Sequence, residues 1–348
     1  MKKNLFRTFA ALALSLPVVA SAADLTISGA GASFPAPVYR VWTYDYGQST
    51  GNKVEIAYQS IGSGAGINQI KDKTVDFAGS DAALTKAELD KFGLFQFPML
   101  TGGVVIVVNL RGVPANTLKL DQAAVSGIFL GDIMAWDDPA IQKLNPGVKL
   151  PHVRITVVHR SDSSGTSFIF TNYMAKISKK WADTVGCGKA VKWPVGIGGQ
   201  KNPGVCNNVA RVNGSIGYTE YTYAIESNLS MVALKNRDGK FVVPNPKTFS
   251  AAGANADWKN APGFYMVLTD QPGAESWPIT GVTYILVYRD QKDAKKAEGM
   301  LKYFNWCFTT GANAALKLHY VPLAPSVVEM VRNAWKADLS CGGAPINY

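Results

Sequence analysis

Three short turns built from glycine and hydroxyl residues separate strand-like runs from helix-like runs in this chain. They are Gly29-Ala30-Gly31-Ala32-Ser33-Phe34-Pro35, Gly62-Ser63-Gly64-Ala65-Gly66 and Ser161-Asp162-Ser163-Ser164-Gly165-Thr166-Ser167. The first turn of a helix has backbone N–H groups without intrahelical partners and carries partial positive charge. Glycine lets a ligand come close to that backbone, and Ser or Thr adds a hydroxyl donor. The combination suits an anion. It suits an ordinary N-cap equally well, in which the hydroxyl serves its own helix. A single turn of this kind favours the capping reading. Three of them at the carboxyl ends of strands argue for an anion pocket.

Charged residues stand beside these turns. Arg160 ends the run that leads into the third turn, and Asp162 follows two residues on. A guanidinium is a planar fork of donors that matches phosphate or carboxylate oxygens. Asp162 is placed to hold that fork, although a surface ion pair has the same spacing. Asp81 follows the apolar run Val75 to Gly79. A carboxylate repels a fully ionised anion. Asp81 fits an anion pocket only if the ligand brings a proton, because an ionised Asp is an acceptor only. The alternative is that it caps the next helix.

The elements that must position these residues alternate. Strands are expected over Leu25 to Gly29, Lys53 to Gln59, Val75 to Gly79 and Val104 to Asn109. Helices are expected over Ala36 to Gln48 and Ile67 to Lys73, with a capping box at Thr85 and Glu88 opening another. A second unit repeats the pattern, with a strand over Arg154 to His159 and a helix over Ser167 to Val185. That helix carries Phe170, Tyr173, Met174, Ile177 and Trp181 at helical spacing. Residues 186–215 are glycine-rich and read as loop. A strand over Gly281 to Arg289 and helices over Ala294 to Thr309 and Ser326 to Ala337 close the chain. This order argues for a layered α/β fold with a largely parallel sheet.

At 348 residues the chain is roughly two domains long. With 47% hydrophobic and 17% charged residues it has the composition of a globular protein, which excludes disorder. The formal net charge is +10. Lys2, Lys3 and Arg7, the apolar run Phe9 to Val19 and the small-x-small site Ala20-Ser21-Ala22 have the form of a cleavable secretory signal. Its removal leaves +7. The apolar run is too short for a membrane anchor and contains Pro17. Export makes disulfides chemically accessible. Pairing by sequence proximity gives Cys187–Cys206 and Cys307–Cys341. No C-x-x-C spacing favours zinc.

Rival functions find less support. A hydrolase lacks its G-x-S-x-G elbow. The three histidines, His152, His159 and His319, are too few for a phosphatase metal cluster. The lysines are scattered and form no run of five, which reads as a solvated surface and not as a nucleic-acid footprint. No phosphate-binding loop of the nucleotide type is present. The eight tryptophans are spread along the chain and read as packing.

The stretches GAGASFPAPVY, IGSGAG, VDFAGSDAAL, GLFQFPMLTGGVV, HRSDSSGTSFIFTNYM and WPITGVTYILV resemble the periplasmic phosphate-binding proteins of ABC-type high-affinity phosphate importers. The likeness runs from about residue 25 to 337. It implies an α/β, two-lobed periplasmic binding protein fold (type II), with two mixed or parallel sheets flanked by helices and joined by crossing hinge strands. It implies a signal peptide over 1–23, lobe one over 24–108, lobe two over 109–283, and a return to lobe one over 284–348. Inorganic phosphate would sit between the lobes, with no cofactor. A monomer in the periplasm would deliver it to an ABC-type phosphate permease in the inner membrane, without catalysis or nucleic acid.

Carried over position by position, the resemblance gives the Ser33 hydroxyl and the Phe34 N–H, then Ser63 and Asp81, then Arg160, Ser164, Gly165 and Thr166. Asp162 is implied as the partner of Arg160. Ser33 stands where many relatives have Thr, and the hydroxyl is kept. The cysteines are no part of the resemblance, so their pairing rests on the compartment argument. The ligand would be held by neutral dipoles and one guanidinium. Asp81 would accept a phosphate proton, which sulfate lacks.

Overall fold

The computed structural model describes residues 23–348, so the expected leader lies outside the described residues except for Ala23. The first sheet has the spatial order Val54–Ser60, Leu25–Gly31, Phe77–Ser80, Thr280–Tyr288, Leu94–Asn109. Its first three strands are parallel, and Thr280–Tyr288 runs antiparallel to both of its neighbours. The second sheet places Leu94–Asn109 beside Ser215–Glu220, then Thr156–Arg160, then Ile197–Gly199. There the last two pairings are parallel.

Leu94–Asn109 belongs to both sheets. Residues 94–103 pair with Thr280–Tyr288, and residues 104–109 pair with Ser215–Glu220. All but its last residue are buried. A strand covered on both faces needs no alternation of apolar and polar residues. For that reason only its β-branched end, Val104 to Asn109, is apparent in the sequence. Pro98 and the Gly102-Gly103 pair conceal the rest.

Helices pack on both sheets. Ala36–Ser49 and Ala294–Phe308 cover the first, and Gly165–Ile177 and Lys201–Arg211 cover the second. Trp42, Trp136, Trp181, Trp277 and Trp335 are fully buried, which bears out their reading as packing. Two expectations need correction. The helix expected over Ser167 to Val185 is two helices, Gly165–Ile177 and Lys179–Thr184. Ser178 is extended between them, and its side chain caps the second through Trp181 N. The glycine-rich stretch read as loop contains Ile197–Gly199 and Lys201–Arg211.

The disulfide pairings are also overturned, because all four cysteines are free thiols. Cys206 is buried on Lys201–Arg211, with its sulfur 3.5 Å from Thr219 Oγ1. Cys307 is buried on Ala294–Phe308. Both act as small apolar core residues, a common use of free cysteine. Cys187 is exposed and Cys341 half-buried. Proximity along the chain did not put any two sulfurs face to face.

Candidate functional site

The parallel strands Leu25–Gly31, Val54–Ser60 and Phe77–Ser80 end at one edge of their sheet, and the first two glycine turns and Asp81 follow them. Thr156–Arg160 ends the same way in the second sheet, with the third turn after it. The edges meet. Gly64 N donates to Ser163 O at 2.9 Å, and Gly165 N donates to Ser63 Oγ at 3.1 Å. Ser33, Phe34, Ser63, Asp81, Arg160, Ser164 and Thr166 are all buried, none more than 3% exposed.

Two helices start inside these turns, earlier than the sequence suggested. Ser63–Lys71 opens at Ser63 behind Gly62, and Gly165–Ile177 opens behind Ser164. Gly62 has φ 94°, a left-handed conformation that glycine adopts without strain. A Cβ there would press on Asp162 Oδ2, and one at Gly165 would collide with Ser63 Oγ and Asp81 Oδ2. Both glycines thus permit the two edges to touch.

Capping and availability are compatible. Ser164 Oγ accepts from Ser167 N at 3.0 Å, and its own proton is still free to donate. Tyr58, Tyr223 and Tyr320 hydroxyls donate to the consecutive carbonyls of Ala32, Ser33 and Phe34, at 2.9, 2.8 and 2.8 Å. With the acceptors of this turn satisfied by tyrosines, its remaining hydrogen-bonding capacity is that of a donor.

Arg160 makes a two-pronged ion pair with Asp162, Nε–Oδ1 2.8 Å and Nη2–Oδ2 2.6 Å. Burial alone would raise the Asp162 carboxyl. The Arg160 contacts and the Lys201 N–H outweigh it and hold the group below the ordinary range. Asp81 has no such partner. Burial pushes its carboxyl up to about 7, against the opposing pull of the Thr283 hydroxyl, Arg160 and Ser63. It accepts from Thr283 Oγ1 at 2.8 Å and from Ser63 Oγ at 3.5 Å. The alternative reading of Asp81 as a helix cap is not seen, since Thr85 caps the following helix.

Sequence reasoning missed Thr283 and Asn202. Asn202 is fully buried and touches both Arg160 and Ser33. Its helix had a signal, Pro203 in the first turn with Val205 and Val209 four apart. Among the described residues no group of His, Cys, Asp and Glu gathers as a metal centre would.

Two sheets sharing a strand, with hydroxyls, backbone N–H groups and one guanidinium gathered where their strand ends meet, define a two-lobed α/β solute-binding protein. A family model described as the PBP superfamily domain matches residues 17–310. The phosphate-binding protein PstS of Xylella fastidiosa (strain Temecula1 / ATCC 700964) is 47% identical over 315 residues, which cover 90% of this chain and 86% of that protein. The solved phosphate-binding protein of Stenotrophomonas maltophilia aligns with TM-score 0.67 at 19% identity, covering 92% of this chain and 99% of that one. An ABC-type phosphate transport receptor from Vibrio cholerae aligns with TM-score 0.56 at 20% identity, covering 85% and 100%. The chain belongs to the PstS family of phosphate-binding proteins, within the PBP superfamily.

Proposed function

We propose that the chain captures inorganic phosphate between its lobes and delivers it to an ABC-type import permease. The observation that carries this reading is the convergence of the two strand edges on one buried cluster. That cluster combines Ser33, Phe34, Ser63, Asp81, Arg160, Ser164, Gly165 and Thr166. The hydroxyls, backbone N–H groups and guanidinium supply donors, and the Asp81 carboxylate lies among them as an acceptor. One proton shared between Asp81 and a phosphate oxygen satisfies both. Asp162 holds the guanidinium in orientation.

The lobes are taken as 24–108 with 284–348, and 109–283. The passage of Leu94–Asn109 from the first sheet to the second at residues 103–104 supports two lobes. Thr280–Tyr288 pairs with the first sheet along its whole length, so both changes of sheet fall a few residues before these bounds. Ligand binding draws the lobes together, and the closed form is what a permease can read. The protein acts as a periplasmic monomer, and the leader-like start of the sequence supports export.

Calorimetry of the ligand-stripped protein with phosphate, sulfate and arsenate tests the reading. Tight phosphate binding is expected at pH 8. Sulfate is expected to bind about 10⁴-fold more weakly, because it would leave Asp81 unpaired beside a like charge. Sulfate binding as tightly as phosphate would overturn the role of Asp81. Absence of phosphate binding would overturn the function.

A further inference from the structure

Asn202, which the sequence did not single out, hydrogen-bonds three residues of the candidate site, Arg160, Ser33 and Thr166. Its Oδ1 accepts from Arg160 Nη1, Thr219 Oγ1 and Glu220 N, each at 3.3 Å. Its Nδ2 donates to Ser33 Oγ at 3.1 Å and to Thr166 Oγ1 at 3.4 Å. The amide cannot be turned round. A guanidinium and a backbone N–H only donate, so the side facing Arg160 and Glu220 must be the oxygen. The NH2 therefore faces the two hydroxyls.

A hydroxyl has one proton. When its oxygen accepts from an amide, that proton must point away from the amide. Among the described residues neither the Ser33 nor the Thr166 hydroxyl donates to a protein acceptor, and both side chains are buried. Ser33 follows the first sheet, whereas Arg160 and Glu220 end strands of the second and Thr166 lies in the helix that follows Arg160. Asn202 thus bridges the two edges. Lys201, just before it, has φ 59°, a left-handed conformation that a lysine takes up only when its surroundings impose it.

We propose that Asn202 is a positioning residue that turns the Ser33 and Thr166 hydroxyl protons toward the bound anion and ties this setting to Arg160. The proposal rests on the anion-binding reading of the site. Asn202 does not touch the ligand. It presets the donors, so binding does not have to spend free energy on orienting them.

Asn202→Asp tests this directly. The substitution is isosteric and keeps an oxygen toward Arg160, Thr219 and Glu220. The other oxygen can only accept, so it draws both hydroxyl protons away from the anion. Phosphate affinity is expected to fall about a hundredfold in calorimetry. Asn202→Ala frees the hydroxyls to rotate and is expected to cost less, whereas a purely packing role predicts the reverse order. The added negative charge is controlled by a cycle with Ser33→Ala. Orientation predicts that Asn202→Asp costs several-fold less once the Ser33 hydroxyl is gone, and charge repulsion predicts no change. Thermal unfolding checks that each variant is folded.

Additive effects, or Asn202→Asp within threefold of wild type, would overturn the proposal. Should the wild type take up sulfate or arsenate and not phosphate, the ligand reading fails, and the same cycle read with that anion decides the role of Asn202. Binding of none of the three overturns both.

Discussion

The Thr283 hydroxyl donates to Asp81 Oδ1 at 2.8 Å, from a strand that enters the chain 202 residues later. The bond occupies one carboxylate oxygen, while the other faces Ser63 and the amino end of Gly165–Ile177. It also favours the ionised form, so it counteracts the burial that raises this group. Thr283→Val is therefore expected to move the Asp81 titration above about 7. Phosphate binding at pH 8 should weaken roughly tenfold, in line with one lost bond to a charged group. Carbon NMR of the carboxyl reads the titration; an unchanged midpoint would contradict the assignment.

The same burial links stability to pH. Asp81 is pushed up to about 7 and Glu220 up to about 8 in the fold, both by desolvation. Below the ordinary carboxylate range both groups are protonated folded or unfolded. As pH rises the unfolded chain ionises first, so their contribution to stability is lost progressively up to about pH 7–8. Asp81→Asn removes one of these groups. Relative to wild type, the ligand-free variant should gain little at pH 4 and on the order of 2–4 kcal/mol at pH 8. Urea unfolding at the two pH values measures the difference. A gain that does not grow with pH would contradict the linkage.

Asp162 acts in the opposite sense. The Arg160 side chain is 1% exposed, and Asp162 is the carboxylate bonded to it. Asp162→Ala strands a buried guanidinium and should destabilise the ligand-free protein by ~2–4 kcal/mol, with Asp162 itself partly open to water. A bound anion supplies the missing negative charge. The gap in Tm between variant and wild type should therefore narrow when phosphate is added. A gap that stays constant would separate Asp162 from the anion site.

Thiol chemistry checks the cysteine correction. With all four cysteines free, an aromatic disulfide reagent should label Cys187 rapidly in the native protein and Cys341 more slowly. Cys206 and Cys307 should react only on unfolding, since burial shields them and raises both thiols. Detection of no thiols in denaturant would restore the two disulfides.

Much of the local structure was legible because it rests on local signals. The β-branched run that forms Thr156–Arg160, and the capping box at Thr85 and Glu88, need no distant partner to be read. The helix starts at Ser63 and Gly165 were not legible. Ser, Gly and Thr have low helix propensity, and there the packing of the two edges overrides it. The first ten residues of Leu94–Asn109 were missed for a related reason: a strand buried on both faces carries no periodic signature.

The sequence by itself determined which chemical groups were available. It supplied three donor-rich turns, one Arg–Asp couple two residues apart and one acidic residue after an apolar strand. Its motif strings were long enough to place the chain in a family. Only the tertiary structure decided how those groups are set. It brought Thr283 to Asp81 and Asn202 to Ser33, kept the cysteines apart and buried Asp81 deeply enough to shift its titration. Hydrogen bonds and desolvation act over a few ångströms. They depend on which residues share a neighbourhood in space, and these pairs lie more than 160 residues apart in the chain.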